Sequence, residues 1–227
     1  MAVKNGAQFV KEQIDSIIPQ LGENDELIIS DDHSTDDTCL IIRSYNDPRI
    51  RLISNPHSGI ISNFENSLLL SRGEFIFLCD QDDVWVSNKV SLSLQHLVNY
   101  DLVISDCLII SQQHQKKKGS FFELNHSGKG LVKNLIRNSY MGCCMAFHRK
   151  VLEKAIPFPK KIPMHDLWIG LIGELYFNVA FIPDKLVYHR RHSNNASSSS
   201  EKSPYSLLQK INFRYKVVKN LIRLSYV

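Results

Sequence analysis

The sequence predicts an α/β fold, a mostly parallel sheet flanked by helices, on three observations. Short β-branched or aromatic runs recur at Glu26–Ser30, Ile50–Ser54, Phe75–Asp80 and Leu102–Ile110, with starts 24, 25 and 27 residues apart. Helical patterns fill the intervals, which is the spacing of βαβ units. The runs themselves are almost continuously apolar, as strands covered on both faces must be.

Counting back one period from Glu26 puts a further strand at about residue 2, of which only Met1-Ala2-Val3 is present. The first strand is thus expected to be largely missing, through truncation of the chain or a start site further upstream, leaving a gap or an unpaired edge. Val10, Ile14, Ile17, Ile18 and Leu21 form the apolar stripe of the first helix. Ser34 is expected to cap the second, with Asp37 where a capping-box acid would stand. A third helix is expected over Ile60–Ser71 and a fourth over Ser87–Asn99.

After Ile110 the pattern changes. Gln112–Gly119 is polar and basic and reads as a loop. A helix near Gly130–Arg137, a strand at Met141–Phe147, a helix from Arg149, another over Asp166–Tyr176 and a strand at Val179–Ile182 follow. Asn194–Ser203 is a low-complexity linker, and Pro204–Val227 is helical, with Leu208, Ile211, Tyr215, Val218 and Ile222 at 3-4-3-4 spacing. This divides the chain into a part ending at residue 110, a second part over 111–195, and a linker with an amphipathic helix over 196–227.

At 227 residues and 43% hydrophobic the chain has a buried core and is not intrinsically disordered. With 27 Lys and Arg against 23 Asp and Glu, the net charge of +4 does not imply a nucleic-acid partner. Five cysteines without zinc spacing read as buried thiols in a reducing compartment. No leader with an apolar core is apparent, and the apolar stretch Leu167–Pro183 is broken by Glu174 and Asn178. A cytoplasmic protein is expected, resting on a membrane if its last helix lies on one. That basic helix reads in two ways: bound to an anionic membrane surface, or packed back on the domain or a partner subunit.

Ligands of open α/β sheets bind beyond the carboxyl ends of the strands. Two acidic clusters fall there, Asp31-Asp32 and Asp80-Gln81-Asp82-Asp83. Acids converging at one edge repel each other unless a cation or hydrogen-bond donors compensate. Asp80 and Asp82 read as ligands of a divalent metal shared with substrate phosphates, against the alternative of an acidic helix-capping turn. Asp31-Asp32 could accept hydrogen bonds from a base or ribose, whereas Asp36 and Asp37 read as helix-terminal acids.

The segments NGAQFVKEQIDSI, ELIISDDHSTDDT, DPRIRLI, GIISNFENSL, GEFIFLCDQDDVW, YMGCCMAF, MHDLWIGL and YHRRHSNN, in this order, resemble family 2 glycosyltransferases of the GT-A fold, in particular rhamnosyltransferase-like bacterial members. The resemblance implies an inverting transfer from a nucleotide-diphosphate sugar to a hydroxyl of a surface glycan or lipid-linked saccharide, assisted by Mg²⁺ or Mn²⁺. It makes Asp31 and Asp32 contacts of the nucleotide, and Asn63 and Asp80 further sugar-nucleotide contacts. Asp80 and Asp82 match the metal-holding pair, with Asp83 adjacent, and His192 of the YHRRHSNN loop reaches the metal or diphosphate. Asp166 matches the general base, taking the proton as the new bond forms, and the same residue could cap its helix. One departure stands out: Val3-Lys4-Asn5 occupies the place of the usual Thr-Tyr-Asn-type turn. Two other readings fit the acids: a truncated, non-catalytic binding module, and a phosphotransfer domain using a strand-end Asp.

Overall fold

The computed structural model describes residues 1–111, 116–192 and 206–224. The expected linker at Asn194–Ser203 lies outside them, as do residues 112–115 of the expected loop. Strands β1 (Ala2–Val3), β2 (Leu27–Asp31) and β3 (Ile50–Ser54) pair in parallel in that order. A second set contains β4 (Phe75–Phe77), β5 (Val84–Trp85), β6 (Leu102–Ser111), β8 (Met145–His148) and β9 (Val179–Arg191), in the order β4-β8-β6-β9-β5. A short β7 (Lys116–Ser120) pairs with the far half of β6. Among the described residues β1, β2, β3, β4, β6 and β9 run one way, and β5, β7 and β8 run against them.

The helices are α1 (Val10–Ile17), α2 (Thr38–Arg43), α3 (Ile60–Leu69), α4 (Lys89–Leu97), α5 (Phe121–Asn125), α6 (Leu131–Ile136), α7 (Arg149–Ala155), α8 (His165–Tyr176) and α9 (Leu207–Leu224). The α1 stripe buries Val10, Ile14 and Ile17 against the sheet, and the helix tightens into a last turn at Pro19. Helix α8 is apolar almost all round and correspondingly buried, with Trp168, Ile169, Leu171 and Ile172 in the core. Its Gly170 faces the Tyr140 ring, where an added Cβ would stand 2.5 Å from the ring carbons. Trp168 Nε1 donates to Ala155 O at 2.8 Å, tying α8 to α7. These contacts fix the helix that carries Asp166.

Several sequence expectations are corrected. Ser34 does not cap α2: the cap position is Asp37, and Ser34 Oγ instead accepts the Asn5 amide at 2.8 Å. Asp166 is not a cap either, because Met164 holds that position and Asp166 lies inside the first turn of α8. The expected strand at Met141–Phe147 begins only at Met145, after a 3-10 turn at Gly142–Cys144. Lys116–Gly119, expected in a loop, belong with Ser120 to β7. The last strand continues through Arg191, so His189-Arg190-Arg191 are strand residues rather than loop residues. That strand gains its length by pairing with β6 along the whole of it, past register shifts at Ser105–Cys107.

In α9, Val217 and Leu221 join the core, and Arg214 Nε donates to Leu135 O at 2.7 Å. The predicted stripe of Leu208, Ile211, Tyr215, Val218 and Ile222 is on the exposed side. Among the described residues no helix is long and apolar enough to cross a membrane. The five cysteines are free thiols, buried except for the half-buried Cys39.

Candidate active site

The carboxyl ends of β1, β2 and β4 open on a cleft of about 270 Å³ whose walls include Asp32, Asn63, Asp80, Asp82, His165 and Asp166. The first four come from strand ends and α3, and the last two from the start of α8. Segments more than 80 residues apart thus converge on one space, as the strand-end rule anticipates. Asp31, Asp83 and His192 do not line it.

Asp80 is half-buried at this cleft, and among the described residues its carboxylate accepts no hydrogen bond. Burial, followed by the charges of Asp83 and Asp82, pushes its carboxyl well above the usual range. Asp82 is likewise raised, by burial and by Asp83, although His192 Nε2 lies 2.8 Å from its Oδ2. The His192 ring stacks on Phe9 with centroids 4.7 Å apart. An oxygen pair that resists ionising together, open to a cleft and with an imidazole beside it, is the donor chemistry of a divalent cation.

Asp83 stands behind this pair. Its Oδ1 is 2.9 Å from His189 Nδ1 and accepts the Arg190 amide at 3.0 Å. Burial alone would raise this carboxyl, but the His189 charge and hydrogen bond prevail and hold it below its ordinary value. In turn His189 loses charge stability to burial yet is pushed up to about 9 by Asp83, making it a buried cation. Arg190 donates Nε to Asp82 O at 2.9 Å and Nη2 to Glu12 at 2.6 Å. Cys143 Sγ is 4.0 Å from His189 Nδ1, and Asp83, Cys143 and His189 each offer a ligand-type atom within 4.8 Å of the others.

On the β2 side, Asp32 is almost completely engaged. Lys4 Nζ lies 2.9 Å from Oδ2, Asn55 Nδ2 donates to Oδ1 at 3.1 Å, and the Gly59 amide donates at 3.2 Å. Burial works against ionisation, but these donors outweigh it and hold the carboxyl below its usual range. Asp31 turns away and accepts the Ser34 amide at 3.1 Å, shaping the loop. Asn63 Nδ2 donates to Val3 O at 3.1 Å, while its buried Oδ1 has no partner among the described residues. The Gln81 side chain holds the two strand ends together, accepting the Lys4 amide at 2.8 Å and donating to Lys4 O at 3.0 Å.

On the opposite wall, burial pushes the Asp166 carboxyl up to about 6, against the opposing effect of the Leu167 and Gly142 amides. The Leu167 amide donates to Oδ1 at 2.6 Å. A carboxylate of that strength takes protons more readily near neutral pH than an ordinary Asp does. Its neighbour His165 stacks on Phe64 at 3.8 Å and, pushed down to about 3 by burial, is neutral. Both of its ring nitrogens are buried without a partner among the described residues.

Sequence reasoning missed Lys4, Asn55, His189 and Arg190 as parts of this machinery. Lys4 lay in a turn read for what it lacked, and Asn55 follows β3 with no motif of its own. His189 and Arg190 lay inside a noticed motif, but placing them in a loop hid their alternation along a strand.

A sequence model of the family described as Glycosyl transferase family 2 matches residues 1–156. The Escherichia coli protein UDP-Glc:alpha-D-GlcNAc-diphosphoundecaprenol beta-1,3-glucosyltransferase WfaP is 36% identical over 210 residues, covering 89% of this chain and 80% of that one. The crystal structure of S. aureus TarS 1–349 in complex with UDP-GlcNAc superposes with a TM-score of 0.73 at 16% identity, over 96% of this chain and 65% of that one. Glucosyl-3-phosphoglycerate synthase from Mycobacterium tuberculosis, in complex with Mn²⁺, UDP and glucosyl-3-phosphoglycerate, matches with a TM-score of 0.60 at 20% identity, over 98% of this chain and 77% of that one. The chain spans just under two thirds of the TarS fragment.

Proposed function

The chain belongs to glycosyltransferase family 2, and from that premise we propose that it is an inverting enzyme passing a sugar from a UDP-sugar to a hydroxyl of a lipid-linked saccharide. One observation carries this reading: Asp80, Asp82 and Asp166 share a single cleft, and burial shifts all three carboxyls upward. The donor comes from the printed activity of WfaP and from the UDP-sugar bound to TarS, and the acceptor class from WfaP.

In this reading Asp32 and Asn63 meet the nucleotide end of the donor, with Asp31 holding the loop beneath. Asp80, Asp82 and His192 would hold Mg²⁺ or Mn²⁺, which neutralises charge on the departing diphosphate. Asp83 braces them from behind through His189 and Arg190. Across the cleft, Asp166 accepts the proton of the acceptor hydroxyl as that oxygen attacks the anomeric carbon from the side away from the diphosphate. The transition state is oxocarbenium-like, and one carboxylate opposite the leaving group suffices for inversion. Residues 1–110 serve the donor and 111–195 the acceptor.

The exposed apolar stripe of α9, with Lys210, Lys216, Lys219 and Arg223 on the same helix, supports peripheral binding at the inner face of the plasma membrane, where a lipid-linked acceptor is presented. Both sequence readings of this helix are then compatible, because the Val217 and Leu221 side packs on the domain. Incubating the purified chain with UDP-glucose, Mn²⁺ and a GlcNAc-diphospholipid, and measuring UDP release with the anomeric configuration of the product, tests the proposal. A β-linked product that disappears in Asp82→Asn and Asp166→Asn is expected. An α-linked product, or turnover undiminished in both variants, would overturn it.

A further inference from the structure

Behind the floor of the cleft, three segments distant in sequence bring a carboxylate, a thiol and an imidazole together. Asp83 directly precedes β5, Cys143 lies in the 3-10 turn before β8, and His189 is on β9. All three are buried. Asp83 Oδ1 is 2.9 Å and Cys143 Sγ 4.0 Å from the same nitrogen, His189 Nδ1, and a ligand-type atom of each lies within 4.8 Å of the others. The second carboxylate oxygen, Asp83 Oδ2, is buried without a partner among the described residues, as is His189 Nε2. Buried polar atoms are ordinarily paired, so Oδ2 is a free donor atom next to a thiol and an imidazole.

The spacing suits a tetrahedral ion. Zinc bonds of about 2.0 Å to nitrogen or oxygen and about 2.3 Å to sulfur put O and N about 3.3 Å apart, and S and N about 3.5 Å apart. Shifts of about half an ångström bring the observed separations to these values. One thiolate, one imidazole and one carboxylate form the donor set of a borderline-soft divalent ion, whereas Mg²⁺ and Mn²⁺ favour oxygen. The ion forms bonds to Nδ1 and Sγ in place of N–H and S–H. Both protons go to solvent, so the net charge of the buried cluster is unchanged. Lys89, itself buried, donates Nζ to Cys143 O at 3.1 Å, which holds the turn and places a cation beside the thiolate. His189 also lines the active-site cleft, with Met141 and Gly142, so the way in from solvent leads through the cleft floor.

We propose that Asp83, Cys143 and His189 form a second metal site, for zinc or a similarly thiophilic divalent ion such as cadmium, separate from the Mg²⁺ or Mn²⁺ position at Asp80 and Asp82. Asp83 accepts the Arg190 amide at 3.0 Å, and Arg190 Nε holds Asp82 O at 2.9 Å, so an ion here sits directly behind the acidic pair. The site stands on its own ligands and does not depend on the glycosyl-transfer reading.

The experiment titrates the whole reduced chain, stripped of metal by a chelator, with Cd²⁺ and with Co²⁺ in the presence of excess Mn²⁺. It reads the sulfur-to-metal charge-transfer absorption, which no oxygen site produces. The band is expected to saturate at about one equivalent in the parent and equally in Cys39→Ser, whose thiol is the half-buried one. Affinity is expected to fall about tenfold or more in Cys143→Ser and in His189→Gln. X-ray absorption at the zinc edge of the parent loaded with Zn²⁺ needs no variant, and is expected to show sulfur together with nitrogen or oxygen in the first shell. A parent without the band, a band undiminished in Cys143→Ser or lost in Cys39→Ser, or a zinc shell of oxygen and nitrogen alone would each overturn the proposal.

Discussion

His192 Nε2 lies 2.8 Å from Asp82 Oδ2 while its ring rests on Phe9, so the imidazole is held from two sides at the edge of the acidic pair. His192→Ala is expected to weaken Mn²⁺ binding about 10-fold to 100-fold, the usual cost of losing a group that orients or completes a metal site. Calorimetric titration with Mn²⁺ measures this, and turnover recovers at saturating metal.

The pH profile follows from Asp166. Its raised pKa of about 6 leaves it protonated, and unable to accept a proton, in mildly acidic solution. At saturating Mn²⁺, kcat/KM is expected to be flat above pH 7 and to fall about tenfold per unit below pH 6. Asp166→Asn removes turnover at every pH while leaving UDP binding, measured by calorimetry, within about threefold of the parent.

His189 and Asp83 are the buried ion pair behind the site. His189→Ala leaves Asp83 uncompensated and is expected to cost about 3–5 kcal/mol in urea unfolding. The histidine is raised in the folded state, so its contribution is present below its unfolded pKa of about 6.5 and is lost as pH rises through about 9. The stability gap between parent and variant should therefore narrow from pH 6 to pH 10.

Gly170→Ala drives a methyl group into the Tyr140 ring. Overpacking of this kind costs about 1–3 kcal/mol, and because α8 carries Asp166 a drop in kcat larger than the drop in UDP affinity is expected. Urea melts and steady-state kinetics on the same preparation check both parts.

Ile211→Glu with Tyr215→Glu charges the exposed stripe of α9 without touching Val217 or Leu221. Co-flotation with vesicles containing anionic lipid is expected in the parent and lost in the double variant, with Tm unchanged within about 2 °C.

The βα period and the convergence of Asp32, Asp80 and Asp82 were legible in the sequence, because buried strands and strand-end acids leave local patterns, whereas Asp166, at the start of a helix, was implied only by the family resemblance. What was not legible depended on long-range pairing. The antiparallel entry of β8 between β4 and β6 is decided by contacts between residues 75–77, 102–104 and 145–148, and no local period encodes that. The full length of β9 follows from β6 alongside it, since Asp184 and Lys185 would by themselves end a strand. Ser34 looked like a helix cap until the Asn5 amide, from a distant turn, claimed its hydroxyl. In α9 the most regular apolar stripe lies outward, because Val217 and Leu221 meet the core instead.

The cleft draws its β1-to-β4 wall from residues up to Asp82 and nearly all of the facing wall from Met141 to Asp166. On the proposed reading, donor and acceptor would meet separate stretches of the chain, so that divergence confined to the later stretch would alter the acceptor side of the cleft while Asp32, Asn63, Asp80 and Asp82 stay as they are.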